Sequence, residues 1–321
     1  MKGELRGKTV EANSYYDRYT REEEKLVSYK EKGGFYRHIY SLPCRWRRAK
    51  YHDKVVRAYQ QGFDAPALLN NSEVIVSLTT FPPRISQLHL VLKSILWQTY
   101  VPADIIVWLS EQEFPGRLND LPEELRKLTA NGVKFKFVPE NFRSHKKYYY
   151  VFREYPDHKV ITVDDDLIYP RNTIERLLSL SYQYPDTVCG NVIRKIRMDG
   201  NTFSVYRKWP KVFMMPVNSS LQNVAIGCGG IYYPSRWYGE ELFDWKIISE
   251  HCPSADDLWL KANELKRRIN VTGGGEFYPR PIELPQTQNN SLQKKNNGKI
   301  NLNDKPVSYT HLRAHETRHD L

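Results

Sequence analysis

Short apolar runs alternate with amphipathic segments from residue 73 onward. Four runs rich in Val and Ile predict buried strands: EVIVSLTT (73–80), DIIVWLS (104–110), VKFKFV (133–138) and KVITV (159–163). Residues 86–96, 122–132, 144–155 and 172–182 have the spacing of helices, with Ser86 as a candidate N-cap and Gly132 as a stop. Strands that alternate with helices indicate a mainly parallel sheet flanked by helices, so the predicted fold class is α/β.

The pattern is less regular after residue 190. TVCGNVIRKI and TFSVYRKW, joined by residues 198–200, are typical of a hairpin, and NVAIGCGGIYYP (223–234) is a Gly-rich strand or turn. DDLWLKANELKRR (256–268) predicts a helix, and INVTGGGEFYP ends in a predicted loop. We therefore expect an α/β domain over 73–190 and a smaller mixed lobe over 191–285.

The first seventy residues predict a helical extension. In PCRWRRAKYHDKVVRAY, one face would carry Trp46, Ala49, Val56 and Tyr59, with arginines beside it. A helix docked on the main domain is one interpretation. An interfacial helix that touches anionic lipid is the other.

Composition and charge narrow the class of protein. The 321 residues are 40% hydrophobic and 26% charged, which is globular composition. The net charge is +11, and residues 1–70 alone hold 15 Lys+Arg against 9 Asp+Glu, which suits phosphate-bearing partners: nucleic acid, sugar nucleotides or an anionic membrane face. No apolar run is long enough for a membrane helix, and MKGELRGK lacks the apolar core of a secretory signal. The four cysteines have no metal-finger spacing, so free thiols in a reducing cytosol are expected.

The end of the chain has a different character. Residues 286–306 are rich in Gln, Asn and Lys and predict an exposed polar tail. His311, His315 and His319 follow at helical i, i+4 spacing, but VSYTHLRAHETRHDL (307–321) resembles translated sequencing-adapter read-through. We therefore reject a metal site there and expect the natural protein to continue differently after about Pro306.

Three aspartates, Asp164 to Asp166, follow the fourth predicted strand. In a parallel sheet, ligands bind outside the carboxyl ends of the strands. Residues two apart in an extended segment point the same way, so Asp164 and Asp166 can converge while Asp165 faces elsewhere. Two converging carboxylates suit Mg²⁺ or Mn²⁺, and such an ion can also bind diphosphate oxygens. The alternative is that Asp166 or a neighbour caps the following helix.

A second acidic pair, Asp256 and Asp257, begins a predicted helix. Ser254 with Asp257 fits a capping box. Asp257 also fits a general base that takes a proton from an acceptor hydroxyl, and a rigid, capped carboxylate can do both. GCGG (227–230) allows close approach of the backbone to a ligand, or forms a strand bulge.

Basic and aromatic residues offer further candidates. FRSHKKYYY places Arg143, His145, Lys146 and Lys147 where a helix begins, which suits phosphate binding, although a solvated run of charge is the alternative. Four aromatic residues can stack on sugar rings or form core: Trp209, Trp237, Tyr238 and Trp245.

Six segments in order resemble bacterial GT-A type glycosyltransferases, family 2-like, of capsular and cell-surface polysaccharide biosynthesis. They are SLTTFPPRI, QTYVPADIIVWLS, SHKKYYY, ITVDDDLIYP, GCGGIYYP and SADDLWL, and the likeness covers about residues 73–285. It implies a GT-A-like, Rossmann-like fold, a nucleotide-sugar donor with UDP first, a Mn²⁺ or Mg²⁺ ion, and a saccharide or lipid-linked glycan acceptor.

The resemblance also implies roles for particular residues. Asp164 and Asp166 would form the DxD pair, with Asp164 nearer the ribose, Asp165 beside it and Asp166 on the metal. Asp257 would be the base, with Asp256 as its partner. Many family members carry an aspartate after the second strand, where this chain has Ser110-Glu111. The nucleoside would lie against Thr79, Thr80, Phe81 and Arg84. From the residue types, we expect the phosphates to lie against Lys146 and Lys147 and the acceptor against Trp209, Gly229, Gly230 and Trp245.

The leading hypothesis is an inverting, metal-dependent glycosyltransferase in the cytoplasm, in peripheral contact with the inner face of the cell membrane through residues 1–70. A basic nucleic-acid-binding protein explains the charge but not the three aspartates, which would repel a polyanion. A carboxylate-metal phosphotransferase or nuclease keeps the metal, but FPPRI provides no phosphate-gripping Gly-rich loop.

Overall fold

A computed structural model describes residues 2–32, 39–61, 66–68, 72–212, 217–273, 280–284 and 303–316. The helices are α1 (Lys2–Lys32), α2 (Ser41–Gln61), α3 (Leu88–Leu96), α4 (Glu123–Lys127), α5 (Lys146–Glu154), α6 (Thr173–Gln183), α7 (Trp245–His251), α8 (Asp256–Lys266) and α9 (Asp304–Glu316). Single 3₁₀ turns cover Pro82–Gln87, Arg117–Asp120, Leu128–Asn131, Arg143–His145, Tyr206–Lys208, Gly227–Gly229 and Glu240–Phe243.

The strands are short in the second half of the chain. They are β1 (Val74–Thr79), β2 (Asp104–Ser110), β3 (Val133–Val138), β4 (Lys159–Thr162), β5 (Leu167–Ile168), β6 (Val188–Gly190), β7 (Ile193–Lys195), β8 (Met198–Asp199), β9 (Thr202–Phe203), β10 (Lys211–Val212), β11 (Val217–Ser220), β12 (Asn223–Ala225), β13 (Ile231–Tyr233), β14 (Val271–Gly273) and β15 (Ile282–Glu283).

The α/β fold class is confirmed by an eight-stranded sheet in the order β11-β14-β6-β13-β4-β1-β2-β3. Strands β4, β1, β2 and β3 pair in parallel, β6 and β14 do so as well, and β13 and β11 are antiparallel to their neighbours. Strand β1 is buried along nearly its whole length, as is β2, because helices cover both faces of a parallel sheet.

The predicted helices of the first half are present, with one wrong cap. Leu88, Val91 and Ile95 are fully buried on α3, as the pattern predicts. Helix α3, however, begins after Gln87, and Ser86 lies within the preceding 3₁₀ turn, so Ser86 is not its N-cap. The 3₁₀ turn Leu128–Asn131 follows α4, and Gly132 ends it with φ of 95°, a left-handed conformation that glycine adopts without strain.

The second half contributes strands to the same sheet as the first. Strand β13 pairs with β4, and β14 pairs with β6, so the sheet continues through the expected division at residue 190. The predicted hairpin is reduced to β8 and β9, whereas β7 pairs with β10 and β12 in a separate three-stranded sheet. The predicted loop after Gly273 and most of the polar tail lie outside the described residues.

The two N-terminal helices pack against each other and against the main domain. Tyr16 and Val55 are buried in the core that includes α3 and β1, and the Tyr16 hydroxyl donates a hydrogen bond to the Ile168 carbonyl at 3.1 Å. The predicted buried face is wrong in part, because Trp46 and Ala49 are exposed while Val56 and Tyr59 are buried. Trp46 and Ala49 in the first half of α2 therefore face outward.

Helix α9 lies against α8. Val307 and Tyr309 are buried, and the Tyr309 ring stacks on Trp259 with ring centroids 5.7 Å apart. The resemblance of residues 307–321 to adapter read-through stays a prediction. His319 lies outside the described residues.

The four cysteines are free thiols, as predicted. Among the described helices, none combines the length and the apolarity that crossing a bilayer requires.

Candidate active site

A cavity of about 260 Å³ opens at the carboxyl ends of β1 and β4, where the acidic triplet and the second acidic pair meet. Thr79 ends β1, Asp164–Asp166 follow β4, and Asp256–Asp257 begin α8. Parallel strands present their carboxyl ends at one edge, which is why residues from distant parts of the chain converge here. The cavity is lined by Thr79, Arg84, Ser144, Lys147, Val163, Asp164, Asp165, Asp166, Leu167, Arg194, Tyr206, Lys211, Ile226, Cys228, Ser254, Ala255, Asp256, Asp257, Leu258, Glu283 and Asn303.

Lys147 joins the two acidic motifs. Its Nζ lies 2.8 Å from Asp164 Oδ1 and 2.8 Å from Asp256 Oδ2, and its side chain is buried. Burial alone would lower the pKa of Lys147, but Asp164, Asp256 and Asp257 outweigh it and hold the pKa well above its usual range. The ammonium group therefore stays charged and neutralises part of the acidic centre.

Arg84 binds the other two aspartates of the triplet. Its guanidinium pairs with Asp165 Oδ1 and lies 3.0 Å from Asp166 Oδ2, and the Thr80 hydroxyl donates to Asp165 Oδ2 at 2.6 Å. Asp165 thus points away from Lys147 into a buried polar pocket, while Asp164 turns toward it. Burial, only partly offset by Arg84, raises the pKa of Asp166 to about 7.

One carboxylate oxygen of Asp257 accepts a hydrogen bond, and the other does not. The Gly227 amide donates to Asp257 Oδ2 at 3.0 Å, whereas Oδ1 is buried with no hydrogen-bond partner in the described part of the chain. Burial, with Asp256 as the next contribution, raises the pKa of Asp257 to about 8. The pKa of Asp256 is lowered instead, because Lys147 outweighs its burial.

Gly227 lets the backbone reach this centre. A Cβ atom there would lie 3.0 Å from Asp164 Oδ1, 3.0 Å from Lys147 Nζ and 3.2 Å from Asp257 Oδ1. A side chain would therefore compete with the three charged groups for the same space. The sequence analysis named Gly229 and Gly230 of GCGG, and the structure brings Gly227 to the charged groups.

The two capping interpretations are wrong. Ala255, not Ser254, is the N-cap of α8, with no side-chain hydrogen bond, so the capping box does not form. Helix α6 after the triplet has Asn172 as its N-cap, so Asp166 is not a cap either. The acidic residues are therefore not accounted for as helix caps.

The interpretation of FRSHKK as a solvated charge run is wrong for three of its four basic residues. Lys146 is buried, with Nζ 2.9 Å from Asn141 Oδ1 and 3.2 Å from Glu113 Oε2, and it does not line the cavity. His145 is buried between the Tyr148 hydroxyl and the Cys252 carbonyl, and burial lowers its pKa to about 4. Arg143 is exposed.

The expected acceptor residues are not brought to the cavity. Trp209 is a core residue whose Nε1 donates to the Ser204 carbonyl at 2.9 Å, and Trp245 packs on Phe142 with ring centroids 4.4 Å apart. Gly229 leaves room for Val192, and Gly230 has φ of 80°. Trp237 and Tyr238 belong to an aromatic cluster of the interior. Thr80 and Phe81 do not line the cavity. Thr80 donates to Asp165, and the Arg84 guanidinium lies over the Phe81 ring.

Cavity residues that the sequence analysis missed come mainly from the second half. Arg194 donates to the Trp209 carbonyl at 2.6 Å and lies over the Tyr206 ring at 4.6 Å. Lys211 on β10 faces the same cavity. In the sequence, these residues appear only as basic positions in the irregular segments RKI and KWPK. The pairing of β7 with β10 brings them to the acidic centre.

The donor set is compatible with a divalent cation. No three His, Cys, Asp or Glu side chains of the described ranges are grouped as a ready-made ligand set. Asp164 and Asp166, however, line the cavity beside three further aspartates, and within the described ranges the ion pairs to this group come from Lys147 and Arg84. Mg²⁺ commonly takes one or two carboxylates and completes its shell with substrate phosphates, which suits hard oxygen donors in a centre with excess negative charge.

Comparisons with known proteins give weak structural likenesses. No protein-family model and no curated protein sequence matches the chain. Among solved structures, S. aureus TarS 1-349 in complex with UDP is 16% identical with a TM-score of 0.39, covering 64% of this chain and 59% of that chain. The UTP-bound UGPase from Acinetobacter baumannii is 9% identical with a TM-score of 0.38, covering 76% and 92%. The mannosyltransferase PcManGT from Pyrobaculum calidifontis in complex with GDP-Man and Mn²⁺ is 13% identical with a TM-score of 0.37, covering 70% and 63%. The chain thus spans under two thirds of the TarS and PcManGT chains.

Proposed function

We propose that the protein is an inverting glycosyltransferase that moves a sugar from a nucleotide-sugar donor, UDP-linked in the first instance, to a saccharide or lipid-linked saccharide acceptor. Surface polysaccharide biosynthesis at the cytoplasmic membrane face is the setting that we propose for it. The observation that carries the proposal is the meeting of Asp164–Asp166 and Asp256–Asp257 around Lys147 in one cavity at the carboxyl edge of the sheet.

The cationic side of the cavity supports binding of a diphosphate. Arg194 and Lys211 line the cavity in addition to Arg84 and Lys147, each of which forms ion pairs with two of the aspartates. Guanidinium groups match phosphate oxygens geometrically, so Arg194, with the ammonium group of Lys211, would stabilise the negative charge that develops on the diphosphate as it leaves. Asp164 and Asp166 would hold the divalent cation, which, when bound, supplies further stabilisation of that charge.

Asp257 is the proposed general base. Its Oδ1, which has no hydrogen-bond partner among the described residues, can accept the proton of an acceptor hydroxyl while the Gly227 amide holds Oδ2 in place. The hydroxyl oxygen then bonds to the anomeric carbon as the bond from that carbon to the diphosphate oxygen breaks, and the electron pair leaves with the diphosphate. A pKa near the working pH is what proton abstraction requires, and the pKa of Asp257 is about 8.

The same cavity disfavours the two rival functions. A nucleic-acid-binding protein does not account for five aspartates at the wall of one cavity, because carboxylates repel a phosphate backbone unless a metal ion lies between them. The turn after β1 is a 3₁₀ turn that begins with two prolines, and prolines lack the amide hydrogens with which a phosphate-binding loop grips its ligand.

The test combines ligand binding with two variants of the full chain. Calorimetric titration with UDP and Mn²⁺ should show metal-dependent binding in the wild type, and thermal shift over a panel of nucleotide sugars should identify the donor, because ligands that bind only the folded state raise its apparent stability. Asp166→Ala should lose the metal-dependent part of the binding.

Asp257→Asn separates chemistry from binding. It should bind UDP and Mn²⁺ nearly as the wild type does but transfer no sugar, because the amide cannot take the proton. Loss of binding in this variant would assign Asp257 to the metal, and unchanged titration of Asp166→Ala would remove the metal role of the triplet.

A further inference from the structure

Exposed large hydrophobic side chains are concentrated at one place in the described chain. Leu42 is 63% exposed, Trp46 67%, Ile39 48% and Tyr40 48%. These four, which we call the tip patch, lie within eight consecutive residues at the start of α2. The other exposed large hydrophobic side chains of the described residues, Leu118 and Tyr182, lie elsewhere and singly.

Leu42 and Trp46 of the tip patch face away from the core, while the Tyr40 ring lies 6.1 Å from the Tyr29 ring of α1. Leu42 and Trp46 are four residues apart and share one face of α2. The opposite side of the helix holds Val55 and Tyr59, which are buried in the core. The patch is therefore a surface that the described fold leaves uncovered and not a part of the docking of α2.

The charged residues of the segment that carries the patch are all basic. Residues 39–52 contain Arg45, Arg47, Arg48 and Lys50 and no acidic residue. Arg47 pairs with Glu22 at 3.0 Å and Arg48 pairs with Glu23, so these two tie α2 to α1. Arg45 and Lys50 are exposed, and Lys50 Nζ lies 5.3 Å from the centre of the Trp46 ring.

We propose that the tip patch docks on an anionic lipid surface. Apolar side chains beside a Trp, rimmed by Arg and Lys, match the boundary between acyl chains and anionic headgroups in both polarity and charge. A nucleic acid would complement the positive charge of Arg45 and Lys50 but has no apolar phase in which Leu42 or Ile39 could be buried. The complementary occupant is therefore a membrane that contains acidic phospholipid.

The docking helix is linked to the cavity through one short strand. His52 on α2 is 3.0 Å from the Glu283 carbonyl, Glu283 lines the cavity, and its strand β15 pairs with β5, which starts directly after Asp166. Helix α2 therefore contacts the strand that contributes Glu283 to the wall of the cavity. If the proposed function holds, this link favours an acceptor that is itself anchored in the lipid.

The test is vesicle binding of the full chain and needs no activity. Sedimentation with vesicles of phosphatidylcholine alone and of phosphatidylcholine with phosphatidylglycerol should show binding only to the anionic vesicles, weakened by added salt. Leu42→Glu/Trp46→Glu should lower the partition coefficient by about tenfold or more, since two anchors are lost and two repelled charges are added. The matched control is Leu118→Glu/Tyr182→Glu, which adds the same charges at exposed sites outside the patch and should bind as the wild type does.

Several results would overturn the membrane proposal. Equal binding by the patch variant and the wild type would do so, and so would a wild type that ignores anionic vesicles. A patch variant that changes from dimer to monomer in gel filtration, with vesicle binding absent throughout, would assign the patch to a second copy. Retention of the wild type on nucleic acid but not on vesicles would assign it to a polyanion. Vesicle binding that persists in a chain without nucleotide-sugar binding would leave this inference standing while the proposed function fails.

Discussion

Lys147 is bound by aspartates from both acidic motifs, and its burial makes that arrangement energetically demanding. A buried ammonium ion without partners would lose its proton, and buried carboxylates without a cation would gain one. Here the two needs offset each other, with Nζ at 2.8 Å from both Asp164 and Asp256. The sequence analysis placed Lys147 on the phosphates, whereas the structure places it between the carboxylates.

Replacing Lys147 with Met should destabilise the fold by about 3–5 kcal/mol near neutral pH, because it leaves buried carboxylates without their cation. The loss should be smaller in acid. Lys147 holds the pKa of Asp256 below its ordinary value of 3.8, so the stability from that pair is present above about pH 4 and is lost below it. In the variant, Asp256 takes up a proton at higher pH, which relieves the unpaired charge as the pH falls.

Urea unfolding at pH 3 and pH 7 measures this difference, because these two pH values lie on either side of that range. The control is Lys146→Met, which removes the adjacent buried lysine but one that pairs with Glu113 and Asn141. An equal loss of stability at both pH values in Lys147→Met would contradict the assignment of Lys147 as the counter-ion of Asp256.

Helix α8 combines the candidate base with a second buried ion pair. Asp256 and Asp257 form its first turn, and Lys261 and Glu264, both nearly fully buried, lie one to two turns later with Nζ 3.1 Å from Oε2. Burial lowers the pKa of Lys261 and raises that of Glu264, in each case offset by the partner. The helix is buried on nearly every side, so its amphipathic pattern is weak and its sequence does not identify the pair as buried.

Replacing one residue of the Lys261–Glu264 pair should destabilise the fold strongly, whereas replacing both with apolar residues should change its stability little. Glu264→Leu alone should lower the free energy of unfolding by about 3–5 kcal/mol, since it leaves a buried ammonium group. Lys261→Met/Glu264→Leu should unfold within about 1–2 kcal/mol of the wild type, or at higher denaturant, because apolar groups fill the same volume without desolvation. Chemical denaturation of the wild type, both single variants and the double variant measures the coupling. Additive losses would show that the two groups do not interact.

Both halves of the chain contribute strands to the central eight-stranded sheet, and buried carboxyl groups gather at the carboxyl edge of that sheet. Asp166 and Asp257 have pKa values of about 7 and 8 in the folded chain against an ordinary 3.8. Between pH 4 and pH 8 the folded chain therefore holds protons that the unfolded chain has released. Stability from these two groups is complete at the acid end of that window and decreases as the pH rises through it.

His145 acts in the opposite direction over a lower range. Its folded pKa is about 4 against an ordinary 6.5, so its contribution to stability grows as the pH rises from 4 to 6.5 and is constant above. The free energy of unfolding should consequently decline between pH 6.5 and pH 8.5, by up to about 1.4 kcal/mol per pH unit for each proton. Asp257→Asn should show a shallower decline in denaturant titrations. The control Asp157→Asn should leave the slope unchanged, because a hydrogen bond from Arg236 lowers the pKa of this exposed carboxyl and keeps it ionised throughout the range. A wild-type stability that rises over this range would contradict the raised pKa values.

The sequence by itself determined the strands and helices of the first half and the place of the acidic triplet at a strand end. Periodicity and breakers such as Gly132 act over a few residues, so local sequence is enough to predict them. The tertiary structure alone decided that β13 and β14 join the same sheet, that Gly227 rather than Gly229 reaches the acidic centre, and that Trp209 is core. It also decided that Lys147 and Arg84 divide the aspartates between them. Such pairings depend on long-range strand registration and on burial, which set both the partner and the protonation of a charged side chain and leave no mark in the order of the residues.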